Sequence, residues 1–253
     1  MKYQQSAQSL LLYLHKHGQS LAASSSISIS SLSASCGVDM LYLPLCPNLI
    51  ELELSEIQVW MQLGLSVSGP RGMLRPGSPL RKLWLRGCTV LDRIDEVAAT
   101  LRQLPSLEHL SLSWLSGSIG MFSSPWHACL CTDVLQYLTK LTYLELVGMR
   151  LQHPAVSSLQ PLKALILLAG LRVQCRVGYA QAKLTASMLP APCQLTGLWL
   201  CNVDFMPDVL GCTTMLQQLH LERCSVQGGE AQLQEQLQDL KQLTQLSLEH
   251  NLL

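Results

Sequence analysis

Charged side chains are scarce in this sequence. Asp, Glu, Lys and Arg make up 13% of the 253 residues, whereas they form about a quarter of an average globular protein. The 17 basic and 17 acidic residues also cancel, so the formal net charge at pH 7 is zero. A neutral chain has no long-range field that would draw it to nucleic acid or to an anionic membrane. We therefore expect neither as a partner.

Long apolar runs and glycosylation sites are missing as well. No apolar run approaches the roughly 20 residues that a membrane helix requires, and the short apolar stretch 10–14 does not suffice for a secretory signal. None of the three Asn residues begins an N-x-S/T glycosylation site. These absences favour a cytoplasmic protein, and they leave an association with the cytoskeleton or a ciliary axoneme open.

Signatures of catalysis are also lacking. The sequence contains no GxSxG, GxxxxGK(S/T) or HExxH motif, and its seven histidines form no evident constellation with Ser, Cys and Asp. The segment HACLC, with His127, Cys129 and Cys131, has the spacing of no common zinc motif and lacks a fourth ligand nearby. We predict a non-enzymatic protein without catalytic residues, cofactor or metal.

What the sequence does contain is a recurring phrase, LxxLxLxx(C/N)x(V/L). It reads LRKLWLRGCTV at 80–90, LTGLWLCNVDF at 195–205 and LQQLHLERCSV at 216–226. A phrase repeated at intervals of about 20–50 residues indicates a stack of units that bury their apolar faces against one another. Copies are predicted to begin at Leu49, Leu80, Leu107, Leu141, Leu162, Leu195, Leu216 and Leu243, with a weaker one at Ile29.

The phrase resembles the leucine-rich repeat family, in particular the intracellular cysteine-containing and mixed types of plant and green-algal proteins. The resemblance spans residues 29–253, about eight to nine repeats, preceded by a capping helix and a Ser-rich entry segment at 1–28. It implies an α/β solenoid, a right-handed horseshoe. A parallel β-sheet would form its concave face, and short helices or irregular turns would form its convex face.

The resemblance also implies protein binding on the concave face. A protein partner of unknown identity is therefore the leading expectation. Two alternatives remain open: an enzyme regulator of the ribonuclease-inhibitor or GTPase-activating type, and a fragment of a larger adaptor such as a ubiquitin-ligase substrate receptor.

Positions three, five and seven of each repeat should project from the concave face, because side chains alternate along a strand. Several of the projecting residues are apolar or aromatic, and such patches mark partner sites. If the repeat at Leu162 has another register, Ile166 and Leu168 become core residues instead. The predicted protein-binding residues are Trp84, Tyr143, Val147, Ile166, Leu168, Trp199, Cys201 and His220.

Two further expectations concern the core and the last repeat. Cys88 and Cys224 occupy position nine, which points into the stack, so we interpret them as buried thiols of a reducing compartment. The final copy has no return segment and no C-terminal cap, so Leu246, Leu248 and Leu253 should lie beside an uncovered edge. A partner or the rest of a longer chain would cover it.

The segments between strands differ in kind. Apolar spacing or capping residues predict helices in three of them, at 91–104, 124–138 and 230–240. Two others, 65–79 and 172–192, are expected to be irregular loops.

Overall fold

Parallel strands dominate the structure, a computed structural model. The chain divides into two compact units, Met1–Ser124 and Pro125–Leu253. The residues described are 23–32, 40–41, 48–57, 60–61, 77–87, 89–90, 99–113, 116–117, 134–149, 160–175 and 182–252. The HACLC segment, Cys88 and Leu253 lie outside the described residues, and so does the predicted capping helix.

The first unit contains a main sheet and a smaller second sheet. Burial alternates along the strand Lys82–Arg86, where Leu83 and Leu85 are fully buried between half-exposed neighbours. The main strands are parallel in the order β1 (Ser26–Leu32), β3 (Glu51–Ile57), β5 (Lys82–Arg86) and β7 (His109–Ser113). The second sheet contains β2 (Met40–Leu41), β4 (Trp60–Met61), β6 (Thr89–Val90) and β8 (Ser116–Gly117).

The second unit repeats this plan. Its main strands are β9 (Tyr143–Met149), β10 (Gly170–Cys175), β12 (Gly197–Cys201), β14 (Gln218–Glu222) and β16 (Gln245–Glu249), all parallel. The smaller sheet contains β11 (Ala182–Leu184), β13 (Val203–Phe205) and β15 (Ser225–Val226). The core lies between the two sheets, where Leu198, Leu200 and Phe205 are almost fully buried.

The predicted register of the repeat at Leu162 is wrong. Leu162 lies in a 3₁₀ turn, Gln160–Ala164, and the strand begins eight residues later at Gly170. The repeat starts at Leu168, 27 residues after Leu141 and 27 before Leu195. This spacing pairs Leu171 with both Leu144 and Leu198 and extends a continuous leucine row through the core. Burial of that row selects the frame, because a shifted strand would expose it.

The weak copy at Ile29 is displaced as well. Ile27 pairs with Leu52 and Ile29 pairs with Leu54, so they occupy positions four and six of a repeat that starts at Ser24. The sheet therefore begins before residue 29. The end of the Ser-rich segment belongs to β1 (Ser26–Leu32).

Position eight of the repeat adopts a left-handed backbone conformation at five places. The φ angles are 60° at Gly87, 79° at Gly148, 55° at Asn202, 51° at Arg223 and 54° at His250. Gly and Asn tolerate this region best, whereas Arg is uncommon there. The turn lets the Asn202 and Arg223 N–H groups donate to the next strand, at Glu222 O (2.9 Å) and Glu249 O (2.9 Å). It also returns the chain to the core at position nine.

Position nine holds polar side chains that hydrogen-bond to the backbone near this turn. Asn251 accepts a hydrogen bond from the Cys224 N–H (2.8 Å) and donates Nδ2 to Leu221 O (2.9 Å). Cys224 is fully buried, and its thiol lies 3.5 Å from Leu200 O, the equivalent carbonyl one repeat earlier. The prediction of a buried thiol at Cys224 is confirmed.

The returns between strands are short. The helix predicted at 230–240 is confirmed as α2 (Gly229–Gln238), which buries Leu233, and a shorter helix, α1 (Asp208–Cys212), precedes it. In the two other predicted helices, residues 99–102 are helical and Leu135–Tyr137 forms a 3₁₀ turn. The expectation of an irregular loop at 172–192 is wrong, because β10, β11 and the 3₁₀ turn Ala186–Met188 occupy much of it.

Candidate functional site

The main sheet of the second unit presents one face away from the core, which we call the open face. Positions three, five and seven of each strand form it. On β10 these are Gly170, Arg172 and Gln174, which lie between β9 and β12. The aligned register places Arg172 beside Glu145 on one side and Trp199 on the other. Most of the predicted binding residues of this unit belong to this face.

Two aromatic rings lie over glycines on the open face. A Cβ atom built on Gly170 would lie 2.6 Å from Tyr143 Cδ2, and one built on Gly197 would lie 2.6 Å from Trp199 Cζ3. The rings therefore rest directly on the backbone, at places where another residue would hold them off. Their centroids are 6.4 Å apart with an interplanar angle of 53°, a tilted aromatic contact. The two glycines thus fix the position of an aromatic pair.

An ion pair adjoins the aromatic pair. Arg172 Nη1 lies 3.3 Å from Glu145 Oε1, and the arginine side chain is 49% exposed whereas that of the glutamate is 6% exposed. The carboxylate is therefore below the surface, and the guanidinium covers it. A guanidinium carries five N–H donors, so one carboxylate leaves donors directed to the surface.

A depression of about 210 Å³ opens next to Arg172 and Trp199. Its polar lining comes from strands β10, β12 and β14: Arg172, Gln174, Cys201, His220 and Glu222. Glu222 lies 3.9 Å from His220 and 3.7 Å from the Arg223 guanidinium. Burial, followed by the nearby Glu222 carboxylate, raises the pKa of the Cys201 thiol above its ordinary value. The thiol is therefore protonated and unreactive at neutral pH.

The structure brings four of the predicted protein-binding residues together. Trp199, Cys201 and His220 line the same depression, and Tyr143 contacts Trp199. Trp84 belongs to the first unit, where its ring lies 4.8 Å from that of His109.

Three predicted binding residues add little or nothing to the accessible open face. Val147 occupies position seven but is 5% exposed. Leu168 is fully buried as position one of its repeat, and Ile166, although 53% exposed, precedes β10 and is not on the open face. The prediction that Ile166 and Leu168 project from this face is therefore wrong, and the alternative register makes Leu168 a core residue.

Sequence reasoning missed Arg172, Gln174 and the two glycines. Gly170, Arg172 and Gln174 follow from the frame at Leu168, which places them at positions three, five and seven, whereas Gly197 is position three of the correctly framed repeat at Leu195. The signal was present in the spacing, because Leu141, Leu168 and Leu195 are separated by equal intervals of 27 residues. The segment LKALILLAGLRV contains LKALIL, which matches LxxLxL, followed by LAGLRV, which matches it with Val173 in place of the last Leu, and only the core distinguishes the two frames.

Another ion pair joins adjacent strands of the first unit. Lys82 Nζ lies 2.6 Å from Glu51 Oε1 and lowers the pKa of the Glu51 carboxyl. Among the described residues, no group of three or more His, Cys, Asp or Glu side chains has the arrangement of a metal site. In the same part of the chain, no helix has both the length and the apolar character needed to cross a membrane.

A comparison with known structures identifies the fold. No protein family matches the sequence. No curated protein matches it either. Among solved structures, the chain is similar to an internalin from Listeria monocytogenes, with 16% sequence identity and a TM-score of 0.52. The match covers 92% of this chain and 63% of the internalin chain, so the chain spans less than two thirds of that protein. The likeness and the parallel sheet together show that this chain has the α/β solenoid fold of leucine-rich repeat proteins.

Proposed function

We propose that this protein is a non-enzymatic interaction module that binds a protein partner on the open face of its second unit, the predicted concave face. The observation that carries this proposal is the aromatic pair Tyr143–Trp199 beside Arg172. Trp, Tyr and Arg are the residues most enriched among binding hot spots. Here they lie on three adjacent strands, where Trp199 and Arg172 line the depression and Tyr143 contacts Trp199.

Preorganisation supports the proposal. Binding costs free energy when a side chain must be immobilised, on the order of 0.5–1.5 kcal/mol for each flexible side chain. Trp199 and Tyr143 are already packed onto Gly197 and Gly170, and Arg172 is already held by Glu145. A partner would therefore meet groups whose positions are set before binding.

The chemistry of the site favours a partner segment with an apolar side chain next to a hydrogen-bond acceptor. The apolar group would cover the indole of Trp199, and the acceptor would reach the N–H groups of Arg172 that are directed to the surface. The partly exposed ring and the 49% exposed guanidinium provide both contacts side by side.

We place this function in the cytoplasm. The described cysteines Cys175, Cys193, Cys201, Cys212 and Cys224 are free thiols, and two of them are buried in the core. Persistent thiols are typical of a reducing compartment.

Partner capture tests the proposal. The intact chain, fused to a proximity-labelling enzyme, is compared with Trp199→Ala and with Ile166→Ser, which replaces an exposed apolar residue outside the open face. We expect Trp199→Ala to lower recovery of the principal partner at least about tenfold, since hot-spot truncations cost about 2 kcal/mol or more. Ile166→Ser should recover the partner normally.

A second variant changes the ring position without removing the ring. Gly197→Ala places a methyl group where the Trp199 indole lies, and the ring has to swing away. Partner recovery should fall while the thermal unfolding midpoint stays close to that of the parent. Unchanged recovery with Trp199→Ala, in a protein shown to be folded by circular dichroism, would rule out this site.

A further inference from the structure

We propose that Cys193 and Cys212 form a redox-sensitive pair, in which a hydroperoxide oxidises the two thiols to a disulfide that joins neighbouring return segments. Cys193 lies in the return that leads into β12, and Cys212 ends helix α1, in the return that leads into β14. Both are free thiols. Transient, redox-sensing disulfides are the kind found in reducing compartments. Neither thiol lines the depression, so the inference is independent of the function proposed above.

The stacking of repeats brings the two thiols together. Cys193 lies two residues before Leu195, and Cys212 lies four residues before Leu216, the same position of the next repeat. Helix α1 packs against the 3₁₀ turn Ala186–Met188 of the preceding return, and the two sulfur atoms are in hydrogen-bond contact. Paired strands lie about 4.8 Å apart, and Cα atoms joined by a disulfide lie about 4.4–6.8 Å apart. Neighbouring returns are therefore within reach of one disulfide.

The pair is open to a small oxidant. Cys193 and Cys212 are each partly exposed, and the residues beside them, Pro192, Gln194 and Gly211, are exposed. A hydroperoxide therefore reaches the thiols without unfolding of the chain.

Cys193 is the nucleophile of the pair. The hydrogen bond from the Cys212 thiol lowers the pKa of Cys193 to about 7, so about half of this residue is thiolate at neutral pH. Burial raises the pKa of Cys175 and of Cys224 to about 11, and burial is also the main cause of the raised pKa of Cys201. Because the thiolate is the form that peroxides oxidise, oxidation of the described cysteines should begin at Cys193.

Two steps form the disulfide. The Cys193 thiolate attacks the terminal oxygen of the hydroperoxide, the O–O bond breaks, and the leaving oxygen takes a proton from solvent. Cys193 is then a sulfenic acid. The Cys212 sulfur attacks the Cys193 sulfur, and the proton of the Cys212 thiol leaves with the hydroxide as water. The two thiols lose two electrons, and the hydroperoxide gains them.

Oxidation of Cys193 prepares Cys212 for the second step. The hydrogen bond to Cys193 raises the pKa of Cys212, followed by burial and by the charge of the Cys193 thiolate. A sulfenic acid is neutral, so the contributions of the thiolate disappear once Cys193 is oxidised. Cys212, whose sulfur lies 3.0 Å from Val209 O, then loses its proton more readily and attacks the sulfur that it already contacts.

Peroxide treatment followed by peptide mass spectrometry tests the proposal. The intact chain is exposed to hydrogen peroxide, the remaining thiols are blocked with N-ethylmaleimide, and the protein is digested. Chymotrypsin is used because Cys193, Cys201 and Cys212 lie in one tryptic peptide, residues 184–223. We expect the Cys193–Cys212 disulfide to form at least about tenfold faster than Cys201 is oxidised, and dithiothreitol to restore both thiols.

Variants and pH separate the roles of the two thiols. Cys212→Ala should yield, in place of the disulfide, a sulfenic acid at Cys193 that dimedone traps, whereas Cys193→Ala should leave Cys212 unoxidised. Cys201→Ala is the matched control and should form the disulfide normally. The rate of disulfide formation should rise about tenfold from about pH 6 to about pH 8, because the thiolate fraction follows a pKa of about 7.

Two results would overturn the proposal, in a protein shown to be folded by circular dichroism. The first is that Cys193 and Cys212 both remain open to N-ethylmaleimide after peroxide has oxidised Cys201. The second is that Cys193 is oxidised but forms its disulfide mainly with a cysteine other than Cys212.

Discussion

At the scale of single residues, Cys224 and Asn251 occupy the same place in successive repeats and make matching contacts. Each reaches the carbonyl at position six of the preceding repeat, Leu200 O for the thiol and Leu221 O for the amide. Burial raises the pKa of the Cys224 thiol to about 11, and backbone N–H groups, led by that of Val203, partly offset the effect. The thiol is therefore neutral, as an amide is.

This equivalence predicts how substitutions at 224 behave. Cys224→Asn should cost less than about 1.5 kcal/mol, since volume is nearly kept and the donor can reach Leu200 O. Cys224→Asp has almost the same shape but buries a carboxylate without a counter-ion, and should cost about 3–5 kcal/mol at pH 7. Urea unfolding of the two variants and the parent measures both values.

The contrast between the two variants is the control. If Asn and Asp destabilise equally, shape rather than hydrogen bonding governs position nine, and the equivalence of the thiol and the amide is wrong.

At the scale of elements, the return segment before β12 contacts helix α1 through two thiols. Cys193 is half-buried, and its thiolate accepts a hydrogen bond from the Cys212 thiol at the end of α1. This hydrogen bond lowers the pKa of Cys193 to about 7 and raises the pKa of Cys212. The Cys212 thiol also lies 3.0 Å from Val209 O, a second acceptor for its proton.

The pair predicts a pH dependence of alkylation. Because the thiolate is the nucleophile, Cys193 should react slowly with iodoacetamide below pH 6 and quickly above pH 8, with a midpoint near pH 7. Cys212→Ala removes the donor and should move that midpoint upward by at least one pH unit. Peptide mass spectrometry of the Cys193 peptide after timed alkylation measures the midpoint, and Cys201→Ala serves as the control that leaves it unchanged.

The repeat phrase predicted most of the strands, and its failure at the Leu162 repeat has a physical cause. LxxLxL placed β5, β12 and β14 in their correct register, since one frame alone fits each of those segments. At 162–173 two frames fit, and the choice depends on which leucines meet Leu144 and Leu198 across the sheet. Contacts between strands decide which frame forms, and the sequence of one segment carries no information about those contacts.

Residues of the candidate site were predicted only on the strands whose register was predicted correctly. Trp199, Cys201 and His220 were identified because their strands were framed correctly. Arg172 was assigned to an irregular loop, together with the rest of residues 172–192. The packing of rings on Gly170 and Gly197 has no signal in the sequence beyond the small residues themselves, because ring orientation depends on side-chain rotamers.

At the scale of the whole molecule, each repeat of a unit is stabilised by its neighbours, and within the described residues β16 has one neighbour where β12 has two. We expect backbone amides of Gly197–Cys201 to exchange with deuterium at least tenfold more slowly than those of Gln245–Glu249, measured by hydrogen-exchange mass spectrometry at low protein concentration. Equal protection of the two strands would contradict nearest-neighbour stability.

The pairing registers also bear on how the chain folds. Residues paired across neighbouring main strands are 21 to 31 positions apart in both units. Such separations are about a tenth of the chain length, a contact order typical of fast-folding proteins. Folding can then nucleate at any adjacent pair of repeats and spread outward by short loop closures. A repeat inserted within one unit would replace one interface by two new ones, a repeat deleted there would replace two interfaces by one, and every other contact would stay as it was.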